Sequence, residues 1–155
     1  MILHRLGPAL VLTVLLLPSA STAQPAGGKP KPVFNCSFGT KQVKVTAAGG
    51  NLLYEFGTPG RPDIVVVGNP KAGNVSHHIE HYAKGGTEQL RFRNGPYSYV
   101  PFNSFTAGTD GGERSGLVVY KGLTKLSSLK CKSGGQFGNT FDLDSLPDDP
   151  NGVDD

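Results

Sequence analysis

One short stretch, His77-His78-Ile79-Glu80-His81, concentrates side chains that can bind a metal ion or respond to pH. A metal site needs three or four ligands that converge on one point. On a strand, His77 and His81 would stand about 13 Å apart along the axis, which is too far to share an ion. The spacing is also not that of a zinc-binding HExxH helix. We therefore expect no metal and no cofactor. The stretch is either a solvated polar segment or a binding or pH-sensitive site.

Acidic side chains are concentrated near the C-terminus, where carboxylates could in principle bind calcium. Their spacing does not match an EF-hand loop, and no glycine or glutamate falls at the positions that such a loop requires. We therefore interpret them as parts of a solvated tail. The residues are Asp142, Asp144, Asp148, Asp149, Asp154 and Asp155.

Arginines and tyrosines near the middle of the chain could form a basic and aromatic surface. Arg91 and Arg93 lie close in sequence to Tyr97 and Tyr99, and Arg114 follows in a later segment. Surfaces of this kind bind nucleic acids or sugars. The alternative is an ordinary polar outer face over a packed core. No pattern specific for nucleic acid accompanies the arginines.

No arrangement of side chains predicts catalysis. The chain lacks a GxSxG motif, and its scattered carboxylates, such as Glu55 and Glu88, do not form a matched pair. We therefore expect a protein that is not an enzyme.

The element that must position the arginines is a β-hairpin over 88–105. Leu90 and Phe92 alternate with the two arginines Arg91 and Arg93, so one face is apolar and the other is cationic. The following Asn94-Gly95 pair favours a type I′ turn. Two prolines, Pro96 and Pro101, cannot donate to a ladder and predict an edge strand or a bulge.

The composition predicts that the hairpin is part of a larger all-β domain. The chain has 155 residues with 22 Gly and 12 Pro, and short apolar runs alternate with turn signals between residues 33 and 132. This pattern predicts a small antiparallel barrel or sandwich of about eight strands. The only two cysteines, Cys36 and Cys131, are expected to form one disulfide that joins the first strand to the last.

The N-terminal residues have the features of an export signal. A basic start is followed by an apolar run at 9–17 that is too short to span a bilayer, and small residues end at Ala23. We predict a signal peptide at 1–23, a flexible leader at 24–32 and a periplasmic or secreted mature chain without a transmembrane segment.

Charge divides the mature chain into two parts. Residues 24–132 carry 14 Lys/Arg against 6 Asp/Glu, a net charge of +8, whereas residues 133–155 carry 6 Asp and no basic residue. The basic body would attract polyanions, and the acidic tail could screen it in cis. The tail itself, 133–155, is expected to be partly disordered, although its apolar residues could dock locally on the sheet.

Several runs resemble those of small exported proteins of Gram-negative bacteria that have no assigned activity, among them Leu52–Asp63 and Gly95–Tyr99. A weaker resemblance is to the membrane-bound and periplasmic inhibitors of c-type lysozyme. It rests on Phe92–Gly95 and on the placement of the two cysteines. In that family a loop ending in tyrosine enters the enzyme cleft, and the stretch at the corresponding place here is His78–Tyr82.

Together these observations favour an exported, non-catalytic binding or inhibitor-type protein of the bacterial cell envelope, whose partner is a protein or an envelope polymer. The alternative is a structural or polyanion-binding module that acts through the basic body, and strong salt dependence would distinguish it. The predicted contact surface combines the loops 77–86 and 106–114 with the face that carries the arginines. Its candidate residues are His78, Glu80, His81, Tyr82, Arg91, Arg93 and Arg114.

Overall fold

The chain forms a sandwich of two antiparallel five-stranded sheets in its computed structural model, which describes residues 29–109 and 111–153. The prediction of an all-β fold with one disulfide is confirmed. The predicted signal peptide and the first part of the leader lie outside the described residues. The described strands are β1 (Lys31–Ser37), β2 (Gln42–Ala48), β3 (Asn51–Thr58), β4 (Arg61–Gly68), β5 (Val75–Tyr82), β6 (Gly85–Asn94), β7 (Tyr97–Thr106), β8 (Gly112–Lys121), β9 (Thr124–Lys130) and β10 (Ser133–Phe137).

The second sheet is a meander of consecutive strands, and the first is a meander to which the last strand, β10, is added beside β1. The first sheet has the order β10-β1-β2-β3-β4, and the second has the order β5-β6-β7-β8-β9. A single 3₁₀ turn at Pro70–Ala72 carries the chain from one sheet to the other, and the Asn69 side chain caps it. After β9 the chain returns to the first sheet as β10, and the disulfide between Cys36 on β1 and Cys131 in this connection adds a further link between the sheets.

Alternating apolar side chains from both sheets form the core between them. Tyr54 of β3 lies at its centre, with its ring 5.3 Å from the rings of both Phe92 and Tyr99 of the second sheet. Tyr54 is fully buried, yet its hydroxyl has no hydrogen-bond partner among the described residues. Burial, followed by the influence of Tyr99, raises the pKa of Tyr54.

Replacing Tyr54 with phenylalanine should raise the free energy of unfolding by about 1 kcal/mol, because it removes an unsatisfied buried hydroxyl and keeps the ring. The pKa of Tyr54 is higher in the folded protein than in the unfolded chain, where it is about 10. Above about pH 10 the unfolded chain therefore ionises at this tyrosine first, and the free energy of unfolding of the wild type falls as the pH rises. The phenylalanine variant should not show this fall. Urea denaturation at pH 7 and pH 10.5 measures both effects. A Tyr54→Ala control should cost about 3–5 kcal/mol, and a less stable Tyr54→Phe variant would contradict the prediction.

The central hairpin forms with the predicted faces, but its turn differs from the expected one. Asn94 pairs with Tyr97, so the two loop residues are Gly95 and Pro96 and not Asn94-Gly95. Gly95 has a φ of 57°, and the proline ring holds the next φ negative. These are the φ signs of a type II′ turn, which takes glycine at its first central position.

The two prolines predicted that parts of the strand after this turn lie at an edge or a bulge, and the edge position is wrong. β7 is the central strand of the second sheet. The sheet accommodates Pro101 by a gap in the β6–β7 pairing. Gln89 pairs with Phe102 and Phe92 pairs with Tyr99, and no paired residues lie between them. A residue without an N–H is tolerated where the ladder is interrupted.

The C-terminal segment differs most from the expectation of a partly disordered tail that begins at residue 133. Residues Ser133–Phe137 form β10, which pairs with β1 at the edge of the first sheet. Leu143 and Leu146 are buried against the main core. The β domain therefore continues well beyond Lys132, because these apolar side chains close the sandwich.

Candidate functional site

The candidate site is the outer face of the second sheet, which points away from the first sheet. Residues directly opposite each other in an antiparallel pair share a face. Ser76 pairs with Arg91, His78 with Gln89, and Glu80 with Thr87. The same face continues across the sheet through Ser104 and Arg114. The register therefore places one polar and basic surface across four strands.

Six of the seven residues predicted from the sequence lie on this outer face. His81 is the exception, because it alternates with its neighbours and belongs to the opposite face of β5. The predicted loop 77–86 is also corrected. His77–Tyr82 belongs to β5, and β6 already begins at Gly85. The six residues are His78, Glu80, Tyr82, Arg91, Arg93 and Arg114.

The chain's own C-terminal residues 147–153, which we name the strap, cover part of this face. The strap first runs along the free edge of β5. The His77 N–H donates to Pro147 O over 2.9 Å, and the Asp149 N–H donates to His77 O over 2.9 Å. Val153 then packs against a second apolar cluster on the outer face, formed by Val100, Phe102, Val118 and Tyr120.

Asp149 of the strap binds the predicted arginines. Its fully buried carboxylate accepts hydrogen bonds from Arg91 Nε at 2.5 Å, Gln89 Nε2 at 2.8 Å and Arg93 Nη2 at 3.2 Å. The carbonyl oxygen of Asn151 accepts two more, from Gln89 Nε2 at 2.8 Å and Arg91 Nη2 at 3.0 Å. The site thus holds an acidic side chain together with a main-chain carbonyl two residues later.

Two further contacts fix the arginines from the sheet side. The Arg91 guanidinium lies 5.1 Å from the centre of the Tyr120 ring, a cation–π distance. Arg93 Nη1 donates to Ser76 Oγ over 2.9 Å. Arg91 is almost completely buried, whereas about a third of the Arg93 side chain stays exposed. The sheet therefore presents both guanidinium groups in defined positions.

A cluster of hydroxyl groups lies on the outer face where β5 and β7 end. The Tyr82 hydroxyl is 3.3 Å from Ser104 Oγ and 3.4 Å from Thr106 Oγ1, and Thr87 donates to Ser104 over 3.2 Å. The hydrogen bonds from Ser104 and Thr106 lower the pKa of Tyr82, and the positive charge of Arg114 adds to this effect. The Tyr82 hydroxyl also lies within 3.4 Å of the carbonyl oxygens of Gly86 and Phe105, so the cluster is a connected polar patch at the surface.

Two of the histidines, His77 and His78, contact the C-terminal segment. His78 Nδ1 lies 3.0 Å from the carboxylate of Asp148. The buried His77 ring lies 3.1 Å from Glu88 Oε1 and 3.6 Å from Asp144 Oδ1. Within residues 29–109 and 111–153, no group of three or more His, Cys, Asp or Glu side chains could hold a metal ion.

Sequence reasoning missed Gln89, Asn151 and the special position of Asp149. Gln89 could have been found, since it precedes Arg91 by two residues and must share its face. Asp149 could be selected only as one of six tail aspartates of opposite charge to the body. Nothing in the sequence marks Asn151, because the group that it contributes is a main-chain carbonyl.

Comparison with known proteins adds no relative: no family model, curated protein or solved structure matches this chain. The resemblances to small exported proteins and to lysozyme inhibitors therefore stay predictions. Among the described residues, no helix is long and apolar enough to cross a membrane.

Proposed function

We propose that the protein is an exported, non-catalytic binding protein of the inhibitor type, and that it engages a partner protein through the outer face of the second sheet. The observation that carries the proposal is the arrangement of this face. Six residues selected for their chemistry share it, and it combines arginines, hydroxyl groups and an apolar strip. Protein interfaces favour this mixture of arginine and tyrosine around an apolar centre.

The strap favours a specific partner over general attraction of polyanions. Its Asp149 carboxylate already pairs with both Arg91 and Arg93, so the chain itself offsets part of the positive charge on this face. The exposed surface around Tyr82 offers the first point of contact. The Cys36–Cys131 disulfide is compatible with an oxidising location outside the cytoplasm.

The test is affinity capture from bacterial envelope extract with the oxidised full-length protein at low and high salt. An Arg114→Ala variant removes one charge from the outer face of the second sheet. The matched control, Lys44→Ala, removes one charge from the first sheet, where Lys44 lies 3.9 Å from Glu55. We expect a protein that is retained at high salt by the wild type and the control, and that Arg114→Ala captures at least tenfold less.

Capture of anionic polymer alone would overturn the proposal. That material would be lost at high salt, and Arg114→Ala and Lys44→Ala would reduce it equally, because nonspecific attraction depends on total charge.

A further inference from the structure

The strap contacts its sheet as a bound peptide contacts a receptor. Its acidic side chain meets two arginines, its Asn151 carbonyl meets Arg91 and Gln89, and its Val153 side chain meets an apolar cluster. Along the extended strap, these contacts bind first a carboxylate, then a main-chain carbonyl and then an apolar side chain. The groove therefore matches the chemistry of an extended peptide that carries a carboxylate.

We propose that this groove is the docking site for an acidic, extended peptide segment of the partner protein, and that the strap is its internal competitor. The inference rests on the proposed function and specifies the chemistry of the partner. The partner segment would carry a carboxylate to Arg91 and Arg93, and a main-chain carbonyl two residues later to Gln89. Anionic polymers without amide groups would lack the second element.

Main-chain hydrogen bonds do little to hold the strap, so its side chains carry most of its attachment. Two main-chain hydrogen bonds join it to β5, both at His77, and no second strand covers it on the other side within the described residues. Asp148, although it contacts His78, is itself mostly exposed. Segments held by few main-chain bonds at an edge open more readily than central strands.

A cavity of about 610 Å³ continues the groove beyond the strap. Its lining includes Arg93, Ser98, Tyr120 and Leu123, and the Leu123 side chain is 88% exposed. The strap borders this cavity only with Asn151 and Gly152. A partner segment with larger side chains than Gly152 would therefore find additional polar and apolar surface, which gives it a means of outcompeting the strap.

Displacement has a measurable cost for the incoming peptide. If the strap is closed in 99% of the molecules, the apparent affinity for an external peptide falls about 100-fold. Weakening the strap should therefore increase binding in trans without any change in the groove itself.

The experiment measures binding of a labelled peptide with the sequence of residues 145–153 to full-length protein. The Asp149→Asn protein, whose strap has lost its charge, should bind the peptide at least tenfold more tightly than the wild type. Asp142→Asn, at an exposed position, makes the same charge change and should behave as the wild type. A peptide with asparagine in place of Asp149 should bind at least tenfold more weakly. Equal binding by all proteins, or preference for heparin over the peptide, would overturn the inference.

Hydrogen exchange on the wild-type protein provides a second measurement that needs no variant. The amides of His77 and Asp149 should exchange at least tenfold faster than those of Val100 and Val118 in the central strands, because they are exposed when the strap opens. Equal rates would show a strap that opens only on global unfolding and would contradict the inference. These results are distinct from the test of the proposed function, which fails if capture from envelope extract does not depend on Arg114.

Discussion

Replacing Asp149 with alanine should lower the free energy of unfolding by about 3 kcal/mol. Its carboxylate is fully buried and pairs with Arg91, which is itself almost completely buried. Removing one partner of a buried ion pair leaves an uncompensated charge, which costs about 3–5 kcal/mol. Release of the strap lets Arg91 regain water, so we expect the lower end of this range.

The adjacent aspartate provides the control. Asp148 also lies beside a basic group, with 3.0 Å between its carboxylate and His78, but 78% of its side chain is exposed. Exposed pairs contribute about 0–1 kcal/mol. Asp148→Ala should therefore change the free energy of unfolding by less than about 1 kcal/mol. Urea denaturation followed by circular dichroism measures both variants under the same conditions.

A double-mutant cycle separates the ion pair from the general effect of losing strap contacts. Arg91→Met keeps most of the side-chain volume over the Tyr120 ring and removes the charge. The combined Arg91→Met and Asp149→Ala protein should be more stable than the sum of the single effects predicts, by at least about 1 kcal/mol. Additive effects would mean that Arg91 and Asp149 do not interact in solution, which would contradict the buried pair.

The faces of the central hairpin could be predicted from the sequence because alternation is a local property. Leu90 and Phe92 are buried between the sheets, and Arg91 and Arg93 point to the other side. The error in the turn did not affect this result. An Asn94-Gly95 turn would pair Arg93 with Pro96, whereas the structure pairs it with Ser98. A shift of two residues leaves every side chain on its predicted face.

The burial of Arg91 could not be predicted, because its partner is 58 residues away. Charged side chains on the outer face of a sheet are normally exposed to solvent. Arg91 is buried only because the C-terminal segment passes over it. The low hydrophobicity and high charge of residues 133–155 favoured disorder. The segment nevertheless packs, because Leu143 and Leu146 reach the core and Asp149 meets complementary charge.

Distant contacts that the sequence does not show also explain the error in the predicted loop 77–86. His77–Tyr82 is polar enough to suggest a loop, yet it forms an edge strand whose polarity reflects two separate environments. His78 and Glu80 lie on the outer face, next to the strand that carries the arginines. His77 lies on the other face, beside Glu88 and the C-terminal segment. Tertiary contacts on both faces override the weak strand preference of these residues.

Removing the disulfide should have a still larger effect on global stability. The Cys36–Cys131 bridge closes a loop of 95 residues and joins the two sheets. In the chain-entropy model, such a loop contributes about 4–5 kcal/mol by restricting the unfolded state. A double Cys36→Ala, Cys131→Ala variant should lose about 4 kcal/mol, which corresponds to a decrease in Tm of roughly 10–15 °C. Urea and thermal denaturation check both values.

Reduction of the wild-type protein should reproduce the loss, and the same reductant should leave the double alanine variant unchanged. A decrease below about 1 kcal/mol would contradict the prediction and would mean that the core alone holds the sheets together.

Hydrogen exchange distinguishes loss of the disulfide from loss of Asp149. Loss of the disulfide should accelerate the central amides of Val100 and Val118, which exchange by global unfolding. Loss of Asp149 should accelerate the β5 amide of His77 still more, by local opening, since its acceptor is Pro147 of the strap. If loss of Asp149 accelerates His77 more than Val100 and Val118, and loss of the disulfide does not, the strap and the sandwich open as separate units, which is the condition for a strap that a partner can displace.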